Sequence, residues 1–223
     1  MGVAVPAAGS GQRMGGARKP FLDLAGEPLL KRSIAPFLAD PRVVAVAVAL
    51  GEDEALAPPA WLAELDPRIR IVAGGATRAE SVRHALAALP GDVDVVAVHD
   101  AARPLVTPEL VARCIDVAAG GEGAVAGCPA VDTMKEVGPD GRVAGTPDRR
   151  RLWHAHTPQV FPADALRKAY AGDVEGATDD ASLMERAGLP VRMVEGGAAN
   201  LKVTRPEDLT LAEALLRARS AGA

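Results

Sequence analysis

Short apolar runs rich in Val and Ala recur along the first half of the chain, and they alternate with segments of helical periodicity. The runs span residues 3–5, 43–50, 69–73 and 93–99, and each is short enough to be a strand. Continuous apolar strands are typical of a parallel sheet that is covered on both faces. We therefore predict an α/β fold with a mainly parallel, twisted sheet and helices on both of its faces.

The second half of the chain breaks this alternation. Residues 132–143 have the pattern of an antiparallel hairpin with a Pro-Asp-Gly turn, and a further strand is expected at 152–156. An inserted hairpin has no helix of its own to cover it. We predict a single domain over residues 1–223 with a protruding β-hairpin arm at about 132–156.

Segments with helical periodicity lie between these strands, and some are more regular than others. Prolines interrupt a short helix expected at 53–66, and clearer helices are predicted at 162–171 and 178–187. The last helix is predicted to start at Thr204, because Glu207 stands three residues later, as in a capping box.

The composition indicates a globular protein without a nucleic-acid partner. Hydrophobic residues make up 48% of the chain, and the formal net charge is −4, whereas general nucleic-acid binding needs a net basic face. Cys114 and Cys128 form no C-x-x-C pair, so we expect two free thiols. Because no apolar run is long enough to cross a bilayer, we expect no membrane association and a cytoplasmic location.

A loop rich in glycine and cations follows the first apolar run. It has the sequence PAAGSGQRMGGARK from Pro6 to Lys19, with the cations Arg13, Arg18 and Lys19. Glycines let a backbone approach an anion closely, and Arg and Lys neutralise phosphate. Met14 stands where the dinucleotide fingerprint needs its third glycine, and no G-K-[ST] sequence is present. The loop therefore predicts a phosphate site of another kind.

Two further features follow later strands. Residues 74–81, GGATRAES, come after the third run, and Asp100 ends the fourth. Ligands bind at the carboxyl ends of parallel strands, so we expect both features beside the first loop. A carboxylate in such company suits Mg²⁺, which often combines one or two carboxylates with substrate phosphates. His99 is interpreted as a packed neighbour, and His154 and His156 as hydrogen-bonded structural groups.

Several motifs in this order resemble one family. They are PAAGSGQRM, GGATRAESV, VHDAARP, DTMKEV, DRRRLWHAHTPQ, TDDASLME and NLKVTRPEDL, and they extend from Val3 to about Leu216. Together they are similar to the 2-C-methyl-D-erythritol 4-phosphate cytidylyltransferases, CTP-using enzymes of the non-mevalonate isoprenoid pathway. The resemblance implies a Rossmann-like nucleotidyltransferase fold. Its expected partners are CTP and a small phosphorylated polyol, and a homodimer is implied in which the arm exchanges with a second subunit.

The resemblance also implies roles for individual residues. The nucleotide would be bound by Pro6, Ala7, Ala8, Gly9, Gly11, Gly75, Ala76 and Ser81. The catalytic residues would be Arg13, Lys19, Arg149 and Lys202. The polyol phosphate would contact Arg103, Thr133, Arg149, Thr157 and Thr178, and Mg²⁺ would be held by Asp100.

The first loop departs from the family pattern at one point. The family usually has Pro-Lys-Gln before its aromatic residue, whereas this chain has Lys19-Pro20-Phe21. Proline removes a backbone donor directly after the expected catalytic lysine. Arg18 is therefore a competing candidate for the role of Lys19.

Two alternative functions are compatible with these residues. A cytidylyltransferase for another sugar-alcohol phosphate, such as ribitol 5-phosphate, would share the nucleotide half of the site. A catalytically silent nucleotide-sensing module is the alternative from another class. It is disfavoured because the loop cations and the metal carboxylate are both present.

Overall fold

The computed structural model of the chain describes residues 1–9 and 18–221. Its strands are β1 Gly2–Pro6, β2 Asp23–Leu24, β3 Glu27–Pro28, β4 Ala45–Leu50, β5 Ile69–Ala73, β6 Val95–Val98, β7 Gly123–Pro129, β8 Glu136–Val137, β9 Val143–Gly145, β10 Trp153–Pro162 and β11 Val191–Glu195. Its α-helices are α1 Leu29–Leu38, α2 Glu52–Leu56, α3 Ala60–Ala63, α4 Arg78–Ala88, α5 Pro108–Ala119, α6 Ala163–Ala171, α7 Asp180–Arg186 and α8 Pro206–Ala221. Short 3-10 turns lie at Lys19–Phe21 and Arg149–Arg151.

Within the described residues, seven strands form one sheet in the order β11-β7-β10-β6-β1-β4-β5. The pairs β1–β4, β1–β6, β4–β5 and β11–β7 are parallel, whereas β10 runs antiparallel to both β6 and β7. The prediction of a mainly parallel sheet is confirmed. Since β1 lies between β4 and β6, the loops that follow these strands emerge side by side at one edge of the sheet.

Helices cover both faces of the sheet, as predicted. Side chains of β1 alternate between the faces: Val3 and Val5 pack on the side of α1 and α5, and Ala4 packs on the side of α4, α6 and α7. The β4 strand is buried at all six positions, which explains its uninterrupted apolar sequence. Helix α8 packs against a smaller cluster that includes Leu24, Leu29 and Leu105.

Some elements differ from the prediction in their boundaries. The helix expected at 53–66 is two short helices, α2 and α3, separated by a segment that holds Pro58 and Pro59. The strand expected at 152–156 continues to Pro162 as β10, because it pairs with β7 and β6 on its two sides. At the last helix, Thr204 bonds to Asp208 rather than to the predicted Glu207.

The arm is a separate two-stranded sheet of β8 and β9. It exposes large apolar side chains, since Val137 and Val143 have 57% and 61% of their surface accessible. The predicted hairpin arm is thus present, and its apolar surface is uncovered within one chain. In residues 1–9 and 18–221, no helix combines the length and apolar character that crossing a bilayer requires.

Candidate active site

A cleft of about 630 Å³ opens where β1, β5 and β6 end. Its walls are the two loops singled out in the sequence, and its floor includes the end of β6. The lining residues are Pro6, Ala7, Ala8, Gly9, Lys19, Pro20, Gly75, Ala76, Thr77, Arg78, Ser81, Asp100, Ala101, Ala102 and Lys202. Most residues expected to bind nucleotide, together with Lys19, Asp100 and Lys202, therefore share one space.

The first wall is fixed at both ends of its loop. The N–H of Ala7 donates to the carbonyl of Ala49 at 2.7 Å, which extends the β1–β4 ladder to the cleft. At the other end Lys19 begins a 3-10 turn whose second residue, Pro20, is buried. Proline is tolerated in a first helical turn because the N–H there needs no partner within the turn. The turn thus accommodates Pro20, the departure from the family pattern, and Lys19 remains on the cleft wall.

Arg18 lies beside Lys19 but is engaged elsewhere. Its Nε lies 2.5 Å from Oε1 of Glu54 on α2, and Arg18 is not among the residues that line the cleft. Of the two competing cations, the structure brings Lys19 to the cleft. Arg13 and Gly11, which the resemblance assigned to the site, lie outside the described residues.

The second wall is the loop between β5 and α4. Thr77 caps α4 in a capping box: its Oγ1 accepts from the N–H of Glu80 at 3.1 Å, and its own N–H donates to Glu80 Oε2 at 2.9 Å. Ser81 Oγ accepts from the N–H of Gly75 at 3.1 Å and donates to the carbonyl of Thr77 at 3.0 Å. The loop is therefore ordered by its own hydrogen bonds.

The two walls touch at Gly74. A Cβ atom at this position would lie 2.5 Å from the Cβ of Ala8 and 2.8 Å from Ser81 Oγ. Any side chain at residue 74 would push the loops apart. Glycine is thus required there by the close approach of the walls.

Asp100 lies on the cleft floor among three cations. Its Oδ2 lies 2.7 Å from Lys202 Nζ and 3.9 Å from Arg103 Nε, and its Oδ1 lies 3.2 Å from Arg78 Nε. Burial by itself would raise the pKa of the Asp100 carboxyl. The charges of Arg78 and Lys202 outweigh burial and hold this pKa well below its usual range. Asp100 is therefore ionised at neutral pH.

A buried layer beneath the floor holds Asp100 in place. The N–H of Asp100 donates to Thr157 Oγ1 at 3.0 Å, and Thr157 Oγ1 lies 3.1 Å from Nδ1 of His99. Burial lowers the pKa of His99 to about 4, so its ring is neutral and packs against Phe37. His99 is a packed neighbour, as expected from the sequence.

Arg103 belongs to the same buried layer. It donates from Nη1 to the carbonyl of Asn200 at 2.7 Å, and Asn200 Nδ2 donates to the carbonyl of Thr157 at 2.9 Å. Arg103 and Thr157, both assigned to the polyol phosphate, lie behind Asp100 and do not line the cleft.

Three other expected substrate residues lie away from the cleft of their own chain. Thr133, Arg149 and Thr178 are exposed and do not line it. Arg149 sits at the root of the arm, where its Nη1 donates to the carbonyl of Val131 at 2.6 Å. A single chain thus brings together the nucleotide half of the expected site but not the polyol half.

Sequence reasoning missed Arg78 as a member of the site. It is the first residue of α4, and its side chain crosses from the second wall to Asp100. The signal was its position directly after the helix cap, where a side chain at the carboxyl edge of the sheet faces the ligand space. Thr77, Pro20, Ala101 and Ala102 also line the cleft without having been predicted.

The cleft offers few ligands for a metal ion. Among the described residues, no cluster of three or more His, Cys, Asp or Glu could hold a metal ion. Asp100 supplies a carboxylate to the cleft, and cations already contact both of its oxygens. This arrangement fits Mg²⁺ bound mainly through substrate phosphates, with one protein carboxylate, rather than a preformed metal cage.

Comparison with known proteins agrees with the resemblance found in the sequence motifs. The family model "IspD: 2-C-methyl-D-erythritol 4-phosphate cytidylyltransferase" matches residues 1–218. Curated proteins named 2-C-methyl-D-erythritol 4-phosphate cytidylyltransferase are similar over nearly their whole length. The protein of Symbiobacterium thermophilum is 47% identical over 96% of this chain and 92% of its own. The Aeromonas hydrophila protein is 47% identical over 97% and 90%.

Solved structures show the same likeness. The 2-C-methyl-D-erythritol 4-phosphate cytidylyltransferase of Thermus thermophilus superposes with a TM-score of 0.79 at 34% identity, covering 96% of this chain and 98% of its own. The 4-diphosphocytidyl-2C-methyl-D-erythritol synthase of Anaerococcus prevotii superposes with a TM-score of 0.86 at 27% identity, covering 97% and 95%.

Proposed function

The chain belongs to the family of 2-C-methyl-D-erythritol 4-phosphate cytidylyltransferases, and we propose that it transfers CMP from CTP to 2-C-methyl-D-erythritol 4-phosphate. The products are 4-diphosphocytidyl-2-C-methyl-D-erythritol and pyrophosphate, in the synthesis of isoprenoid precursors. One observation carries this proposal: Lys19 lines the same cleft, between two glycine-bearing loops, in which Arg78 and Lys202 contact Asp100.

The two walls are suited to hold the nucleotide. The loop at Ala7–Gly9 and the loop that begins at Gly74 approach each other closely, and residues of both loops line the cleft. Backbone donors and acceptors at the carboxyl edge of a sheet are the usual readers of a base and its ribose. CTP would therefore lie between the walls with its phosphates toward Lys19.

The reaction joins two anions, so charge is the main obstacle. An oxygen of the methylerythritol phosphate attacks the α-phosphorus of CTP, the bond from that phosphorus to the bridging oxygen breaks, and pyrophosphate leaves with the electron pair. Such transfers depend on positioning and on charge stabilisation rather than on a covalent enzyme intermediate. Lys19 on the wall and Lys202 on the floor are placed to offset this charge, because both line the same cleft.

Asp100 is the residue that would hold Mg²⁺. When bound, the ion would neutralise phosphate charge and help to orient the triphosphate. The low pKa of Asp100 supports this role, because the carboxylate needs no deprotonation before it binds a cation.

A homodimer formed through the arm would complete the half of the site that binds the polyol phosphate. The arm exposes Val137 and Val143, which a second copy of the chain would cover. Thr133 and Arg149 would then reach the partner's cleft, since they do not line their own. Arg149 would hold the substrate phosphate with its planar fork. We also propose a cytoplasmic location, in keeping with the free thiols of Cys114 and Cys128.

A substrate panel tests the proposal. Pyrophosphate release is measured with Mg²⁺ and each of CTP, ATP, GTP and UTP, against 2-C-methyl-D-erythritol 4-phosphate or ribitol 5-phosphate. Release with CTP and the methylerythritol phosphate is expected to exceed every other pair. A preference for ribitol 5-phosphate would change the substrate assignment. Binding of CTP without release under any pair would favour a nucleotide-sensing module.

A further inference from the structure

Asp180 is a wholly buried carboxylate that does not itself line the cleft. It is the first residue of α7 and faces the guanidinium of Arg78 end-on. Arg78 Nη1 lies 3.2 Å from its Oδ1, and Arg78 Nη2 lies 2.7 Å from its Oδ2. The hydroxyl of Tyr170 on α6 also donates to Oδ1. A buried charge needs such pairing, and the three hydrogen bonds from Arg78 and Tyr170 hold this carboxylate in place.

The same guanidinium extends from Asp180 to the cleft. While its terminal nitrogens face Asp180, its Nε donates to Oδ1 of Asp100 at 3.2 Å. A guanidinium is planar and rigid, so fixing two of its nitrogens also fixes the direction of the third. Arg78 therefore cannot turn away from Asp100 without breaking its pair with Asp180.

Lys202, the other cation in close contact with Asp100, is held less firmly than Arg78. Lys202 has 41% of its side chain exposed and donates through a flexible stem, whereas Arg78 has 34% exposed and is held from behind. The direction of the Asp100 carboxylate is thus set mainly from the side of Arg78.

We propose that Asp180, supported by Tyr170, is a positioning residue that holds Arg78 against Asp100 and thereby sets the direction of the carboxylate on the cleft floor. This inference rests on the proposed function, because it gives Asp180 an effect on cytidylyl transfer through two residues of the cleft. Asp180 lies in the TDDASLME motif, from which the sequence analysis assigned a role only to Thr178.

The chain offers a matched control in Asp66. Like Asp180, it receives two hydrogen bonds from one guanidinium: Arg68 Nε donates to its Oδ1 at 2.9 Å, and Arg68 Nη2 donates to its Oδ2 at 2.8 Å. This pair does not line the cleft. If Asp180 only ties helices together, its loss and the loss of Asp66 should have effects of the same kind.

The test compares Asp180→Asn with Asp66→Asn, since both changes keep the shape and remove the charge. Asp180→Asn is expected to lower kcat about 10–100-fold, the usual cost of losing an outer-shell partner. Calorimetry with CTP alone and with CTP plus Mg²⁺ is expected to show that Asp180→Asn also reduces the gain in affinity from Mg²⁺. Asp66→Asn is expected to lower the melting temperature while leaving kcat and that gain unchanged.

A double-mutant cycle checks that Asp180 acts through Arg78. Arg78→Lys keeps the charge but loses the fork, so it is expected to lower kcat in the same way. Adding Asp180→Asn to Arg78→Lys should cost much less than the product of the two separate losses. Tyr170→Phe is expected to give a smaller loss in the same direction.

Several outcomes would overturn the inference. These are a normal kcat in Asp180→Asn, equal losses in Asp180→Asn and Asp66→Asn, or multiplicative losses in the cycle. If Asp180→Asn does not fold, a normal kcat in both Tyr170→Phe and Arg78→Lys would overturn it instead. The proposed function fails separately, since in that case the unaltered chain itself releases no pyrophosphate from CTP and 2-C-methyl-D-erythritol 4-phosphate.

Discussion

At the scale of single residues, the chemistry of this cleft depends on how one carboxylate is surrounded. Asp100 is contacted by Arg78 and Lys202 and is approached by Arg103, so cations outnumber it on the floor. The surplus of positive charge attracts a triphosphate, while Asp100 keeps the cations from repelling one another. Removing Asp100 and removing a lysine should therefore have opposite electrostatic consequences.

Asp100→Asn should weaken the dependence of CTP binding on Mg²⁺. A neutral amide is a poor partner for a hard dication, so the gain in CTP affinity from Mg²⁺ should shrink. Affinity without metal should be maintained or increased, because the neighbouring cations lose their counter-charge. Titration calorimetry with and without Mg²⁺ measures both. An unchanged gain from Mg²⁺ would exclude Asp100 as the metal ligand.

Lys19→Ala should reduce turnover far more than stability. Loss of one preorganised charge donor typically costs about 10²–10³-fold in kcat. Lys19 is outside the apolar core, so the free energy of unfolding should change by about 1 kcal/mol or less. We expect the same pattern for Arg13→Ala.

Arg18→Gln is the control for Lys19→Ala, because it removes a neighbouring cation that pairs with Glu54 outside the cleft. It should lower kcat less than Lys19→Ala does. Steady-state kinetics of the variants measure kcat, and urea unfolding measures their free energy of unfolding. A larger loss in Arg18→Gln would give Arg18 the catalytic role.

At the scale of elements, the second wall depends on the start of α4. Thr77 caps this helix and accepts from Ser81, which in turn holds Gly75. The cap therefore links the stability of a helix to the shape of a binding loop.

Thr77→Ala should lower both stability and affinity for CTP. Loss of an N-cap costs about 1 kcal/mol of unfolding free energy. The side chain that receives the N–H of Glu80 would be lost, which would loosen the start of α4 and the loop that lines the cleft. Thr107→Ala is the matched control, since Thr107 caps α5 by accepting from Leu110 N–H at 3.3 Å and does not line the cleft. It should cost similar stability with no change in KM for CTP. Equal KM values in the two variants would contradict a role of the cap in binding.

At the scale of the whole molecule, the active site is expected to need two chains. The cleft of one chain lacks Thr133 and Arg149 among its lining residues, and the arm that carries them exposes apolar side chains. Covering those side chains with a second copy would complete the site and bury the arm in one step.

Mixing two inactive variants tests this arrangement. Arg149→Ala and Lys19→Ala chains are combined under conditions of subunit exchange, and pyrophosphate release is followed. If sites are composite, random exchange restores about a quarter of them, because half the dimers are mixed and each has one intact site. No recovery, with exchange shown independently by mass, would place Arg149 in its own chain's site or outside catalysis.

The layered α/β architecture and half of the site could be predicted from the residues alone. Uninterrupted Val and Ala runs of strand length, such as residues 45–50, are typical of strands buried on both faces, and their alternation with helical segments indicated a parallel sheet. Loops that follow parallel strands meet at one edge of the sheet. For this reason the loop that starts at Pro6, the loop at residues 74–81 and Asp100 were expected to lie together, and all three line the cleft. The resemblance of the motifs then named the reaction.

Which charges act on one another could not be predicted in this way, because the partners come together only in the folded chain. Asp180 and Arg78 are 102 positions apart, and Arg103 and Asn200 are 97 apart, so nothing local in the sequence announces either contact. The antiparallel direction of β10 likewise depends on pairing with β6 and β7, which no single segment encodes. Electrostatic positioning acts over a few ångströms in space, whereas sequence patterns report periodicity along the chain, and the fold alone connects the two.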